Sequence, residues 1–175
     1  MLEILEDLSV LKSPALRLTD LALAGVSHGC EARDFPVARV VEVSLAPIVK
    51  SGSWSREQGH VYKDEGGREL ELSEVIANAF EYGGVLHFQE KVSFRLESGR
   101  VVGFSIYGSH LDEFSYIKSQ EQLVREFGQP DVLKPNEAYG DLMGYYNSYH
   151  ASQKFVAWDD WKKKIYVISL GMKAR

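Results

Sequence analysis

The chain has 175 residues, 45% of them hydrophobic and 26% charged, with a formal net charge of −5; that fits one ordinary domain and excludes a disordered chain. The negative charge argues against a broad nucleic-acid footprint, which needs a concentrated positive field, and no stretch approaches the ~20 apolar residues that span a bilayer. Cys30 is the sole cysteine and the residues from Met1 to Asp7 carry acids where a signal peptide needs positive charge, so no internal disulfide forms and the chain is expected to be cytoplasmic.

Leu2, Leu5 and Leu8, with Ile4 beside them, recur at helical spacing and predict a short amphipathic helix. Ser13-Pro14 predicts the start of a second helix, with proline where its missing N–H costs nothing, although Leu16, Leu18 and Asp20 alternate as a strand would. From Arg39 to Val49, Val41, Val43 and Leu45 alternate with Glu42 and Ser44, the pattern of a strand with one wet face; Pro47 marks an edge or an end. A hairpin is expected next, entering through His60-Val61-Tyr62, turning at Asp64-Glu65-Gly66-Gly67 and leaving through Glu69 to Leu72. Ser73 to Gly84 reads as a helix, capped by Ser73, with Val75, Ile76, Ala79 and Phe80 on one face and Gly83 at the left-handed end.

Two further apolar sets alternate, Val92, Phe94 and Leu96, then Val102, Phe104 and Ile106. A two-residue Ser98-Gly99 loop would put these sets on opposite faces. A three-residue loop, Glu97-Ser98-Gly99, pairs Phe94 with Val102 and gathers all the large side chains on one face. Burial worth roughly 1.5–3 kcal/mol per side chain favours this second register.

A helix is then expected from Ser119 to Phe127, with a capping box in Ser119-Gln120-Glu121-Gln122 and a stop at Gly128 and Pro130. Lys154 to Trp158 and Ile165 to Leu170 read as a last strand pair around Asp159-Asp160. Hairpins between helices predict a single α+β domain over residues 1–175, an antiparallel sheet of about 6–8 strands with two to four helices packed on it.

The chemical signals are sparse. The tightest acid and histidine group is His110-x-Asp112-Glu113, which reads either as a fragment of a site or as an ordinary loop turned by Asp112; no second ligand stands at a metal spacing, so no metal is assigned. Cys30 follows His28 closely, but a Cys/His dyad requires convergence in space, and a buried inert thiol is the alternative. Gly66-Gly67 and Gly83-Gly84 lack the pattern of a phosphate or dinucleotide loop, and no cofactor is expected. Asp159-Asp160, between Trp158 and Trp161, reads as a carboxylate pair only if buried, and otherwise as a turn. A small hydrolase-like or metal-assisted enzyme would have to be built around His110, Asp112 and His87.

Surface signals are stronger. Nine acids face four basic residues between Glu57 and Glu97, while six basic residues face two acids from Lys154 to Arg175, either two solvated faces or a charged docking surface. Tyr139, Tyr145, Tyr146 and Tyr149 crowd a stretch that also holds glycine, serine and asparagine. That mixture makes an adaptable recognition surface, to which Trp161 is added; a twisted strand with half-buried tyrosines is the alternative.

The unit Ile117-Lys118-Ser119-x-Glu121-x-Leu123, closing on Phe127-Gly128-x-Pro130-Asp131 between hairpins, resembles a segment of small bacterial immunity-type proteins that neutralise a partner toxin. That resemblance covers about 55 residues, from Val92 to Asp131 and more loosely the final strands, and implies a binding role without naming functional residues. The leading expectation is therefore a non-enzymatic protein-binding module with a protein partner and no nucleic-acid or membrane partner. The enzyme above is the alternative, and a homo-oligomeric subunit pairing exposed strand edges is the second.

Overall fold

The computed structural model describes residues 1–56 and 59–171, with the backbone alone for residues 51–56. In chain order the elements are β1 (Leu2–Glu3), β2 (Leu21–Leu23), β3 (Val26–Ser27), β4 (Val40–Ser44), β5 (Ser51–Arg56), β6 (Gly59–Lys63), β7 (Glu69–Leu70), α1 (Leu72–Tyr82), β8 (Gly84–Phe88), β9 (Val92–Glu97) and β10 (Arg100–Tyr107). They continue with α2 (Gln120–Phe127), β11 (Val132–Ala138), β12 (Asp141–Tyr149), β13 (Lys154–Asp159) and β14 (Lys164–Leu170). The fold is α+β with antiparallel pairing dominant, as expected. The chain divides into two compact units, one made of residues 26–102 and the other of residues 1–25 with 103–171 among those described.

In the unit joining both ends of the chain, strands pair antiparallel in the order β11-β12-β13-β14-β10. β13 sends Lys154, Val156 and Trp158 into the interior, and a bulge between Ala157 and Trp158 interrupts its register with β14. Ser119 caps α2 by accepting from the Gln122 N–H, while Leu123 and Phe127 are buried. The expected capping box is only half present, because the Gln122 amide oxygen accepts from the Lys118 N–H instead of reaching the cap. One turn inward, Gln120 and Asn147 form a reciprocal buried amide pair, and Asn147 Nδ2 also donates to the Val156 carbonyl at 3.2 Å.

The opening segment departs from expectation. Leu2 to Leu8 form no α-helix: β1 pairs in parallel with β2, and short 3-10 turns follow at Ile4–Glu6 and Leu8–Lys12. The cause is local competition, since the Glu3 and Asp7 carboxylates accept from the Leu5 and Ser9 N–H groups and close tight turns. Ser13-Pro14 starts no helix either; a 3-10 turn at Leu18–Asp20 leads straight into β2.

In the unit of residues 26–102 the order is β10-β9-β8-β4, with β5-β6-β7 forming a smaller sheet. α1 begins at Leu72, and its cap lies two residues before the expected Ser73. Glu71 is the N-cap, and it exchanges hydrogen bonds with Glu74 in a complete capping box. The predicted face, Val75, Ile76, Ala79 and Phe80, is buried. Phe35, unassigned by periodicity, sits among the rings of Phe80, Phe88 and Phe94 with centroids 5.4–5.7 Å away. β4 ends at Ser44, and a bulge between Val40 and Glu42 leaves Val41 exposed and Val43 buried. Leu45 takes a φ of 60° and turns out to solvent, so it extends no strand.

The β9–β10 turn overturns the expected register. Ser98 and Gly99 both have positive φ, 53° and 76°, and are the only residues between the strands, the signature of a two-residue type I′ hairpin. Glu97 therefore faces Arg100 and Leu96 faces Val101, which is fully buried while Val102 is half-buried. Val102 then falls opposite Arg95, on the side of the ribbon away from Phe94, and the expected Phe94–Val102 pair is not made. The local turn geometry of Ser98-Gly99 fixed the register in place of the apolar overlap.

Candidate functional site

The surface with the clearest functional character is the β11–β12 hairpin with the turn after β13. Tyr139 and Gly140 make its two-residue turn, with φ of 54° and 82°, and put the Tyr139 ring wholly into solvent. Leu142 is exposed close to the turn, and Val132 and Leu133 are exposed at the far end of β11. Trp161 is 66% exposed, yet it is fixed: its backbone N–H donates to Asp159 Oδ1 at 2.9 Å and its indole Nε1 donates to the Leu142 carbonyl at 3.0 Å. A large aromatic held rigid in water loses little entropy when a partner covers it.

The sequence placed Asp159-Asp160 between two readings, and the geometry assigns the turn. Asp159 also accepts from the Lys162 N–H at 2.8 Å. Lys163 at 3.0 Å, and then the Trp158 indole, hold the Asp160 carboxyl below its usual range. The pair organises the Trp161 loop.

The other tyrosines divide by depth. Tyr145 and Tyr146 are half-buried neighbours in β12, whose side chains alternate between faces. Tyr146 lies on Phe155 at 5.4 Å. It also bonds Tyr166, whose hydroxyl is pushed far up by burial and then by that bond. Tyr149 is buried, and its hydroxyl donates to the Gly128 carbonyl at 3.0 Å. Burial pushes its pKa up to about 12.

His110 and Asp112 share the 3-10 segment Gly108–Phe114, in the unit containing the hairpin. Asp112 lines a pocket of about 200 Å³ with Lys118, Lys162, Lys163 and Lys164. His87 belongs to the other unit. There it lies opposite Glu42 across the β4–β8 ladder, and its Nε2 is 2.8 Å from Ser44 Oγ. Burial holds its imidazole below the ordinary value, against the upward pull of Glu42. His60 Nε2 approaches Glu42 at 3.5 Å, while its buried Nδ1 has no hydrogen-bond partner among the described residues. Ser44 and Glu42 were read from the sequence only as the wet side of a strand, and no local signal ties them to His87. Cys30 is half-buried, and burial, followed by Asp34 and Glu31, raises its thiol pKa, the opposite of what an activated nucleophile requires.

The same unit has an apolar groove of about 760 Å³ between α1 and the segment before β4, lined by Val37, Val40, Leu72, Ile76 and Phe80 among others and by no histidine. Among the described residues no three His, Cys, Asp or Glu side chains gather as a metal ion would need, and no helix is long and apolar enough to cross a membrane. Compared with known proteins, the chain matches no family model, no curated protein and no solved structure.

Proposed function

We propose that this chain is a non-enzymatic protein-binding module that recognises its partner through the β11–β12 hairpin and Trp161. The observation that carries this reading is Trp161 itself: an indole two-thirds in water whose polar atoms are already satisfied within the chain. It offers a partner apolar area without a desolvation penalty for its N–H. Tyr139 and Leu142 extend the patch.

The contact is made by side chains, with a different protein. β11 lies at the end of its ladder, and Pro135 at its centre, with Lys134 and Glu137 on either side, supplies the devices that discourage an edge strand from pairing with its own copy. The immunity-like resemblance of residues 117–131 gives the reading its particular form, in which the partner is a toxin-like protein that binding neutralises.

The test begins with capture of partners by the tagged full chain from its native host, followed by purification of the partner and measurement of its affinity for designed variants. Trp161→Ala and Tyr139→Ala each weaken binding by at least about tenfold, as anchors at the centre of an interface do, and leave the far-ultraviolet spectrum unchanged. Equal affinity of the wild-type chain and both variants contradicts the reading.

A further inference from the structure

Among the described residues, the basic residues from Lys154 onward separate into one buried lysine and one cluster. Lys154 points inward, whereas Lys162, Lys163 and Lys164 surround the 200 Å³ pocket together with Lys118. Four lysines line it in a chain of net charge −5, and Asp112 is the single carboxylate in the lining. Lys163 is neutralised by Asp160 at 3.0 Å. Among the described residues, Lys118, Lys162 and Lys164 have no carboxylate within ion-pair distance. Like charges gathered without counter-charges repel one another, and an anion supplied from solution removes that cost.

From this arrangement we infer that the pocket is a binding site for a phosphate group carried by a small molecule. Each lysine presents a compact point charge with three donors, which suits a multiply charged, many-oxygened group better than a single planar carboxylate. Ser115 and Tyr166 complete the wall. Trp161 adjoins Lys162 in the chain, so occupancy registers in its fluorescence. This site is independent of the protein-binding reading, since it needs neither Tyr139 nor the apolar face of the hairpin.

The test titrates the full chain with inorganic phosphate and with pyrophosphate at constant ionic strength, read by calorimetry and by tryptophan fluorescence. Both probes bind saturably, pyrophosphate the more tightly. The double variant Lys118→Ala/Lys164→Ala loses about a hundredfold in affinity, roughly tenfold for each charge-assisted contact, and Asp112→Asn gains several-fold because it removes the one opposing charge. These positions are exposed, so the variants keep the wild-type melting curve. Titrations that never saturate, a double variant that binds as tightly as wild type, or saturation by a polyglutamate peptide but not by pyrophosphate overturn the proposal.

Discussion

Lys154 Nζ donates to the Leu11 carbonyl at 2.7 Å from a side chain only 2% exposed. A second bond reaches the Ser13 carbonyl at 3.3 Å, and the rings of Tyr149 and Phe127 lie 4.8 and 5.4 Å from the same nitrogen. The ammonium therefore sits where the 3-10 turn Leu8–Lys12 leaves its last carbonyls without partners, a place that favours a cation. Two aromatic faces replace part of its lost water. The lysine fastens the N-terminal segment to β13.

Burial pushes the Lys154 pKa down to about 8 from an ordinary 10.5. In the unfolded chain the amine holds its proton to higher pH than in the folded one. Folding is thus opposed most below pH 8, and stability rises with pH between about 8 and 10.5. Urea unfolding at pH 7, 8.5 and 10 shows that rise in the wild type and lacks it in Lys154→Met; parallel profiles contradict the assignment.

The Gln120–Asn147 amide pair bridges α2 and β12 inside the core. Asn147→Leu strands the Gln120 amide and the Val156 carbonyl, and is expected to cost about 2–3 kcal/mol. Gln120→Leu/Asn147→Leu removes both amides together and costs less than the sum of the single variants, as a double-mutant cycle by denaturant unfolding will show.

At Gly144 the strands β12 and β13 approach so closely that a Cβ would overlap the Trp158 carbonyl oxygen. That obstacle is backbone and cannot swing aside. Gly144→Ala is expected to destabilise by about 1–3 kcal/mol, visible as a lowered melting temperature. Gly140→Ala meets no atom within 4 Å, and its cost is confined to strain at a φ of 82°.

His87 resists protonation in the fold, while in the unfolded chain it takes a proton near pH 6.5. Stability therefore falls as the pH drops below about 6.5, until the folded imidazole also protonates. Glu42 and His60 are the titratable groups acting on it, the first favouring the charge and the second opposing it. Proton NMR of the ring places its titration below 6.5, and a midpoint at or above that value refutes the buried neutral form.

Local chemistry was legible wherever one short-range device decided the outcome. The Ser119 cap, the apolar face of α1 and the β13–β14 pair around Asp159 all follow from neighbouring residues. What escaped depended on competition or on distant partners. Glu3 and Asp7 diverted a helical pattern into 3-10 turns by bonding nearby N–H groups. The β9–β10 register followed the Ser98-Gly99 turn and not the largest apolar overlap. Lys154 reads in sequence as a polar strand start, because the carbonyls that receive it lie more than a hundred residues away. Of the surface residues, Tyr139 and Trp161 are exposed, whereas Tyr149 is spent on the interior.

The most direct measurement uses the chain labelled with 5-fluorotryptophan, with the Trp161 fluorine resonance assigned through Trp161→Phe. In the free chain that resonance shows the solvent-isotope shift of an exposed ring. Adding the purified partner is predicted to move it and abolish the isotope shift, as the indole passes from water into the interface. A complex that forms while the Trp161 resonance keeps both its position and its isotope shift would contradict a recognition surface centred on that residue.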